Sequence, residues 1–315
     1  MQNKHKIIVI VGSTASGKSD LAVALAKKFN GEVISADSRQ VYKGLDIGTG
    51  KITKREMRGI KHHLLDVISP RSVFSAHDFV HRATKVIEDM TERGKTPIIA
   101  GGTGFYIDVL LGRLKLPDVP QDKDLRKKLE TQSEKTLFKK LEKLDPKRAK
   151  DILKKNEQNN KVRLIRAIEI ASSKVIEVEP LYYKGSTFIY EVLWIGIETD
   201  KEKLREKIKR RNVAMLKNGL VREVKQLRER DIAWKRLNSL GFEYSYVADF
   251  LRGKISKEEA LAQMNFKTWQ YARRQMTYWR RNDEIQWFKT GMKHNIVKAV
   301  KAFLGGSKKN KSIQL

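Results

Sequence analysis

The chain has 315 residues and no cysteine. It is long enough to bury a sizeable core, and it excludes disulfides, thiolate catalysis and cysteine-based zinc sites. Its 66 Lys and Arg residues exceed its 37 Asp and Glu residues, for a formal charge of +29. This surplus favours a polyanionic partner such as nucleic acid, although a solvated lysine-rich surface would give the same composition. The apolar runs are only strand-length and no signal-peptide core precedes the first strand, so we expect a cytoplasmic protein without a membrane segment.

The first motif is a loop between a predicted strand and a predicted helix. The β-branched run at residues 7–11 predicts a buried strand, and Leu21, Leu25 and Phe29, four apart, predict a helix with one apolar face. The loop matches the P-loop pattern, in which backbone N–H groups and a lysine bind phosphates and a serine hydroxyl can bind Mg²⁺. A chance match at a turn is the alternative, and the flanking strand and helix favour a polyphosphate site. The residues of this predicted site are Gly12, Ser13, Thr14, Ala15, Ser16, Gly17, Lys18 and Ser19.

Two later segments also follow predicted strands. Residues 32–36 predict a strand that ends at Asp37, and residues 96–100 predict a strand that ends at the glycine-rich turn 101–106, which contains Thr103. Ligands bind at the C-terminal edge of open parallel sheets, so both segments are expected to face the phosphate loop. Asp37 is then a general base, or it supports a Mg²⁺ ion indirectly from outside its direct ligands, with a turn or capping role as the alternative. The second strand ends without an acidic residue, which counts against ATP hydrolysis.

The alternation of strands and helices stops near residue 117. Residues 122–173 are lysine-rich and helical by pattern, and strand character returns at residues 188–197. We therefore predict an α/β fold with a P-loop NTPase-like core, a parallel sheet flanked by helices, and an inserted all-helical domain. The predicted ranges are 1–117 and 188–304 for the core, 118–187 for the insertion and 305–315 for a disordered basic tail.

A histidine pair and a stripe on a late helix invite functional interpretations. His62 and His63 lie in a predicted short strand, residues 62–68, where adjacent side chains point to opposite faces, so we favour a structural role over a shared metal. A capping box at Ser256 begins a long helix. Its stripe is predicted to face the core rather than to stack on bases; the stripe residues are Trp269, Ala272, Met276 and Trp279.

Several arginines are candidates for phosphate contact. Arg163 and Arg166 lie three apart on one predicted helix face, which is equally typical of a solvated surface. Four arginines flank the stripe of the late helix, and we expect them to contact phosphates rather than to form ion pairs; they are Arg273, Arg274, Arg280 and Arg281.

Four motifs together resemble the tRNA dimethylallyltransferase family. They are the loop Gly12–Ser19, the segment Asp37–Thr49, the turn Gly101–Tyr106 and the segment Tyr271–Trp279, and the likeness extends from residue 6 to about residue 288. The resemblance implies a P-loop core with a helical insertion. It also implies transfer of a dimethylallyl group from dimethylallyl diphosphate to the exocyclic amine of the adenosine 3′-adjacent to the tRNA anticodon, with release of diphosphate.

The resemblance also assigns roles to residues. By position, Asp37 matches the family's base, Lys18 and Arg211 match the residues that stabilise the leaving diphosphate, and Ser19 matches the Mg²⁺ ligand. Thr103 is expected to be catalytic and to contact tRNA. The remaining tRNA contacts implied are Asp37, Ser38, Arg39 and Gln40; Val162, Arg163, Leu164, Ile165 and Arg166; Ser239, Leu240, Gly241, Phe242, Glu243 and Tyr244; and Arg273 and Arg274. Mg²⁺ as the cofactor, the tRNA anticodon stem-loop as the partner and a monomeric enzyme are expected.

Two other functions are compatible with parts of the sequence. A small-molecule or nucleotide kinase shares the P-loop and an Asp after the second strand, but it leaves the charge of +29 unexplained. A noncatalytic RNA-binding protein with a relic P-loop explains the charge, but it gives no reason for Lys18, Ser19, Asp37 and Arg211 to be present together.

Overall fold

The computed structural model describes residues 5–117, 119–173 and 190–305. The chain divides into two compact units, which we call the core unit (residues 1–111 and 187–315) and the insertion unit (residues 112–186). The sequence prediction had placed these boundaries at residues 118 and 187. The predicted basic tail lies outside the described residues except for Gly305, which is the last residue of a helix.

The core unit is built on a sheet of six strands with the order β3-β2-β4-β1-β5-β6. All five neighbouring pairs are parallel, which confirms the predicted parallel sheet. Residues 7–11 of the central β1 are completely buried because strands flank it on both sides and helices cover the sheet. The strands are β1 His5–Gly12, β2 Gly31–Ser35, β3 His62–His63, β4 Thr96–Ala100, β5 Tyr190–Glu198 and β6 Gln286–Lys289.

The predicted strand at residues 62–68 is wrong beyond His63. Leu64 and Asp66 have φ angles of 62° and 55°, in the left-handed region, and this conformation ends the strand. Ile68 instead forms an isolated parallel bridge with Tyr42.

Helices follow the strands of the core unit, and four of them pack on the strands, namely Lys18–Lys28, Ala76–Glu92, Lys257–Trp279 and Lys293–Gly305. The helices of the core unit are α1 Lys18–Lys28, α2 Lys54–Met57, α3 Ala76–Glu92, α4 Gly104–Leu110, α9 Lys201–Lys217, α10 Leu220–Glu229, α11 Trp234–Leu240, α12 Phe242–Leu251, α13 Lys257–Trp279 and α14 Lys293–Gly305. The predicted capping box is confirmed, since Ser256 accepts from the N–H of Glu259 and the Glu259 side chain accepts from the N–H of Ser256. Of the predicted stripe on α13, Ala272 and Trp279 are buried, whereas Trp269 and Met276 are only half-buried.

The insertion unit contains helices only, within its described residues. They are α5 Lys123–Glu130, α6 Glu134–Leu144, α7 Pro146–Lys154 and α8 Lys161–Ser172. Leu129, Leu137, Leu141, Leu164 and Ile168 form its own small core. Across the described parts of both units, no helix combines the length and the apolar character that a membrane span requires.

Candidate active site

A cavity of about 320 Å³ lies where the chain leaves the C-terminal ends of β1, β2 and β4. This is the edge at which open parallel sheets bind ligands. The cavity receives the phosphate loop, the Asp37 segment, the second glycine turn and one side chain from α9. Its lining includes Thr14, Ala15, Ser16, Gly17, Lys18, Ser19, Asp37, Gln40, Thr49, Gly50, Glu56, His62, Gly101, Gly102, Arg211, Tyr271 and Gln275.

The loop Gly12–Ser19, which we call the phosphate loop, has backbone angles that favour glycine at both glycines of the P-loop pattern. Gly12 and Gly17 have φ angles of 144° and 93°, and a Cβ on Gly12 would lie 2.7 Å from the carbonyl oxygen of Ile197. Lys18 Nζ closes the loop by donating to the carbonyl oxygens of Gly12 and Ser13, at 3.1 and 2.5 Å. The Ser16 hydroxyl is buried and has no hydrogen-bond partner among the described residues. This loop therefore holds a cation and a buried polar group that a phosphate oxygen can satisfy.

The surroundings of Lys18 lower its pKa, and a bound anion would stabilise its charged form. The pKa of Lys18 is lowered to about 8, chiefly by burial; the Asp37 carboxylate opposes this shift, and the nearby Arg211 adds to it. A bound diphosphate would add negative charge beside this ammonium and raise its pKa again.

Asp37 is a turn residue whose side chain also lines the cavity. Its Oδ1 accepts from the backbone N–H groups of Arg39, at 2.8 Å, and Gln40, at 3.4 Å, which makes it a turn residue. The same side chain lines the cavity. The neighbouring N–H of Ser38 donates to Thr103 Oγ1 at 3.0 Å, so the second glycine turn supports the Asp37 segment.

Arg211 enters the cavity from α9. Its Nη1 donates to Thr14 Oγ1 at 2.7 Å, and its Nη2 donates to the carbonyl oxygen of Thr49 at 3.1 Å. Gly50 leaves room for this arrangement, because a Cβ there would lie 2.3 Å from Arg211 Nη2. The structure thus brings Lys18, Asp37 and Arg211, which are widely separated in the sequence, to one cavity.

A buried carboxylate, Glu223, holds the loop at residues 46–50, whose Thr49 carbonyl accepts a hydrogen bond from Arg211. No signal in the sequence pointed to this glutamate. Glu223, on α10, accepts from the backbone N–H groups of Asp46, Ile47 and Gly48 at 3.0, 2.7 and 3.0 Å. It also accepts from the Tyr244 hydroxyl at 2.7 Å. Four hydrogen bonds to one carboxylate fix the loop and, through it, the guanidinium.

Other residues expected to contact tRNA lie around the cavity rather than in its lining. Thr103 begins α4 and uses its hydroxyl to support Ser38. Arg39 is exposed and donates to the carbonyl oxygen of Ser239 at 2.7 Å, which joins the Asp37 segment to residues 239–244. Tyr244 is fully buried, and it supports that segment from the interior.

The four arginines on α13 and just after its end lie in different environments. The expectation of phosphate contact over ion pairing is wrong for Arg280, because the fold brings Glu198, at the end of β5, within 3.5 Å of its guanidinium. Arg281 lies over the ring of Tyr278, at 4.4 Å from the centroid. Arg273 and Arg274 are exposed, and Arg273 lines a second cavity rather than the one described above.

In the insertion unit, segment 162–166 is part of α8. Val162 is 77 % exposed, whereas Leu164 and Ile165 are buried. Arg163 is paired with Glu157. Arg166 donates to the carbonyl oxygen of Val119 at 2.7 Å and lies 3.2 Å from Glu169, a buried carboxylate that Arg126 also contacts. Arg166 therefore already has acceptors within its own unit.

The histidine pair behaves as two separate residues. His63 Nε2 lies 2.6 Å from Glu32 Oε2, while His62 Nδ1 lies 2.9 Å from the carbonyl oxygen of Ile60. His62 lines the cavity, and burial lowers its pKa below the usual value. Within the described residues, no group of three or more His, Cys, Asp or Glu side chains could hold a metal ion.

The cavity fits Mg²⁺ in the manner of a phosphate-bound ion. Its candidate ligands are oxygens, the exposed Ser19 hydroxyl and the Asp37 carboxylate. Mg²⁺ prefers oxygen ligands and is commonly held by one or two side chains together with substrate phosphates. Ser19 is the residue that would hold it directly, with Asp37 beside it in the same cavity.

The fold and the cavity define a P-loop-like α/β protein with a phosphate-binding loop facing a carboxylate and an arginine. The family model described as IPP transferase matches residues 40–282. A tRNA dimethylallyltransferase from Acetivibrio thermocellus is 41% identical over 287 residues, covering 89% of this chain and 90% of the relative. One from Halalkalibacterium halodurans is 38% identical, covering 90% and 91%.

Solved structures agree with these relatives. The full-length tRNA isopentenylpyrophosphate transferase from Bacillus halodurans is similar with a TM-score of 0.70 and 36% identity, covering 96% of each chain. A eukaryotic dimethylallyltransferase acting on tRNA is similar with a TM-score of 0.74 and 27% identity, covering 95% of this chain and 78% of that one. The chain belongs to the IPP transferase family, whose members above are tRNA dimethylallyltransferases.

Proposed function

We propose that this chain transfers a dimethylallyl group from dimethylallyl diphosphate to the exocyclic amine of the adenosine 3′-adjacent to the tRNA anticodon. The observation that carries the proposal is the meeting of Lys18, Asp37 and Arg211 in one cavity of a chain from this family. The reaction needs cations for a leaving diphosphate and a base for an amine, and this cavity contains both.

The phosphate loop and Arg211 act on the leaving group. As the allylic C–O bond breaks, its electron pair stays with the diphosphate oxygen, and the growing negative charge is stabilised by Lys18, Arg211 and the loop N–H groups. Lys18 exchanges its contacts with the Gly12 and Ser13 carbonyls for the diphosphate. Mg²⁺, held through Ser19 and the diphosphate, would neutralise further charge when bound.

Asp37 acts on the acceptor. The adenosine nitrogen forms a bond to the allylic carbon and loses a proton, which the Asp37 carboxylate accepts. The Arg39 and Gln40 N–H groups bind one carboxylate oxygen, which orients the other for this task. The atoms balance as one new N–C bond, one broken C–O bond and one proton transferred.

Binding of tRNA is the use that we propose for the formal charge of +29. The target base must leave its stack to enter the cavity, at a cost of a few kcal/mol that contacts to the surrounding RNA offset. The proposed contacts near the base are segment 37–40, Thr103 and the residues Ser239, Gly241, Phe242 and Glu243, whereas Leu240 and Tyr244 are buried and only support them. The proposed contacts to the rest of the anticodon stem-loop are Val162, Arg163, Arg166, Arg273 and Arg274; the buried Leu164 and Ile165 are excluded. We further propose that the enzyme acts as a monomer in the cytoplasm.

The decisive experiment incubates the protein with Mg²⁺, labelled dimethylallyl diphosphate and unmodified tRNA. We expect label in tRNA, and none when guanosine replaces the target adenosine. A parallel incubation with γ-labelled ATP tests the kinase alternative, which none of the relatives described above supports. Phosphoryl transfer without prenylation would overturn the proposal, and tRNA binding without either reaction would favour the noncatalytic alternative.

A further inference from the structure

A buried glutamine joins the two halves of the candidate active site. Gln275, on α13, is 5% exposed and lines the cavity. Its Oε1 accepts from the backbone N–H of Thr14 at 2.7 Å, and its Nε2 donates to the carbonyl oxygen of Gly102 at 3.0 Å. One side-chain amide therefore connects the phosphate loop after β1 with the glycine turn after β4.

The two ends of this bridge lead directly to the proposed reacting groups. Thr14 offers its side-chain oxygen to Arg211 at 2.7 Å, so the glutamine holds the backbone of the residue that the arginine contacts. Gly102 precedes Thr103, whose hydroxyl accepts from the Ser38 N–H at 3.0 Å, beside Asp37. A path of four hydrogen bonds, joined by short covalent segments in Thr14, Gln275, residues 102–103 and residues 37–38, thus links the arginine and the carboxylate through Gln275.

The glycine at position 102 is explained by the same bridge. A Cβ on Gly102 would lie 2.2 Å from Gln275 Nε2, closer than any ordinary contact allows. An alanine there would displace the amide, whereas the glycine lets it reach both loops.

We propose that Gln275 is a positioning residue that sets the separation between the diphosphate loop and the Asp37 base. The inference rests on the proposed function, because this separation matters only if a group moves from a diphosphate to an amine. Misplacement of reacting groups by about 1 Å can cost about 10²-fold in rate. The strands fix the loops at their bases, and Gln275 fixes them at the cavity.

The test measures single-turnover prenylation at saturating donor and tRNA for Gln275→Ala, together with the dissociation constants of both substrates. We expect the rate per active site to fall by about 10²-fold, while the dissociation constant of tRNA changes less than twofold. The matched control is Gln263→Ala, an exposed glutamine of the same helix, for which we expect a rate within twofold of wild type. Counting active sites from the reaction end-point separates slow chemistry from a smaller folded fraction.

Two further variants test the same hydrogen bonds if Gln275→Ala folds poorly. Gln275→Glu has the same shape, but its carboxylate cannot donate to the carbonyl oxygen of Gly102, so we expect a slow rate. As the pH falls and the carboxyl becomes protonated, the ratio of the variant's rate to the wild-type rate should rise. Gly102→Ala should slow the reaction similarly, and its effect should not add to that of Gln275→Ala. Rates per active site within twofold of wild type in these variants would overturn the inference. Absence of prenylation by the wild-type protein would instead overturn the proposed function.

Discussion

The lowered pKa of Lys18 predicts how diphosphate affinity depends on pH. A diphosphate binds the ammonium form, and the free protein loses this form as pH rises through about 8. Since the anion raises the pKa of the lysine it contacts, binding takes up a proton above this pH, and the dissociation constant should then rise by about tenfold per pH unit. Between pH 7 and pH 9 this amounts to a loss of about tenfold, because most of the decline falls above pH 8.

The assay is isothermal titration of the full chain with dimethylallyl diphosphate, without tRNA and at fixed free Mg²⁺, between pH 7 and pH 9. The ligand's own titration contributes little here, since an esterified diphosphate, like a phosphate monoester, loses its last proton at about pH 6. Lys18→Arg is the control, because its side chain stays charged throughout this range, and its affinity should depend little on pH. A wild-type affinity that is constant from pH 7 to pH 9 would show that Lys18 does not meet the diphosphate as an ammonium ion with a lowered pKa.

Three further predictions follow from the contacts around the cavity. Asp37→Asn retains an oxygen for the turn but removes the base, so the single-turnover rate should fall by about 10² to 10⁴-fold. The tRNA affinity, measured by titration, should stay nearly constant. An unchanged rate would mean that Asp37 is only a turn residue. Arg211→Ala should reduce turnover more than tRNA binding, whereas the opposite pattern would assign the arginine to RNA. Glu223→Gln places an amide against three backbone donors and should lower the free energy of unfolding in urea by about 3 kcal/mol. The exposed Glu229→Gln on the same helix should have little effect, and equal effects would contradict the role given to Glu223.

The sequence alone determined the parts of the protein whose signals are local. A glycine pattern with a strand before it and a helix after it defines the phosphate loop, because the backbone angles it needs are set within a few residues. Asp37 could be placed at the same edge of the sheet because parallel strands all end on one side. The capping box at Ser256 and the helical character of residues 122–173 also depend on near neighbours. Arg211, by contrast, was assigned only through the family resemblance.

Only the tertiary structure decided which distant side chains share a contact. Gln275 is a polar residue on the buried face of α13, and the spacing of apolar residues, which predicts that face, gives no information about a glutamine. Its two partners are in loops far away in the chain. Glu223 likewise gave no sequence signal, although it organises the loop that receives Arg211. Arg280 and Glu198 are far apart in the sequence, yet the fold brings their side chains within 3.5 Å. Hydrogen bonds and ion pairs form between atoms about 3 Å apart, and such distances between remote residues are fixed only when the elements pack.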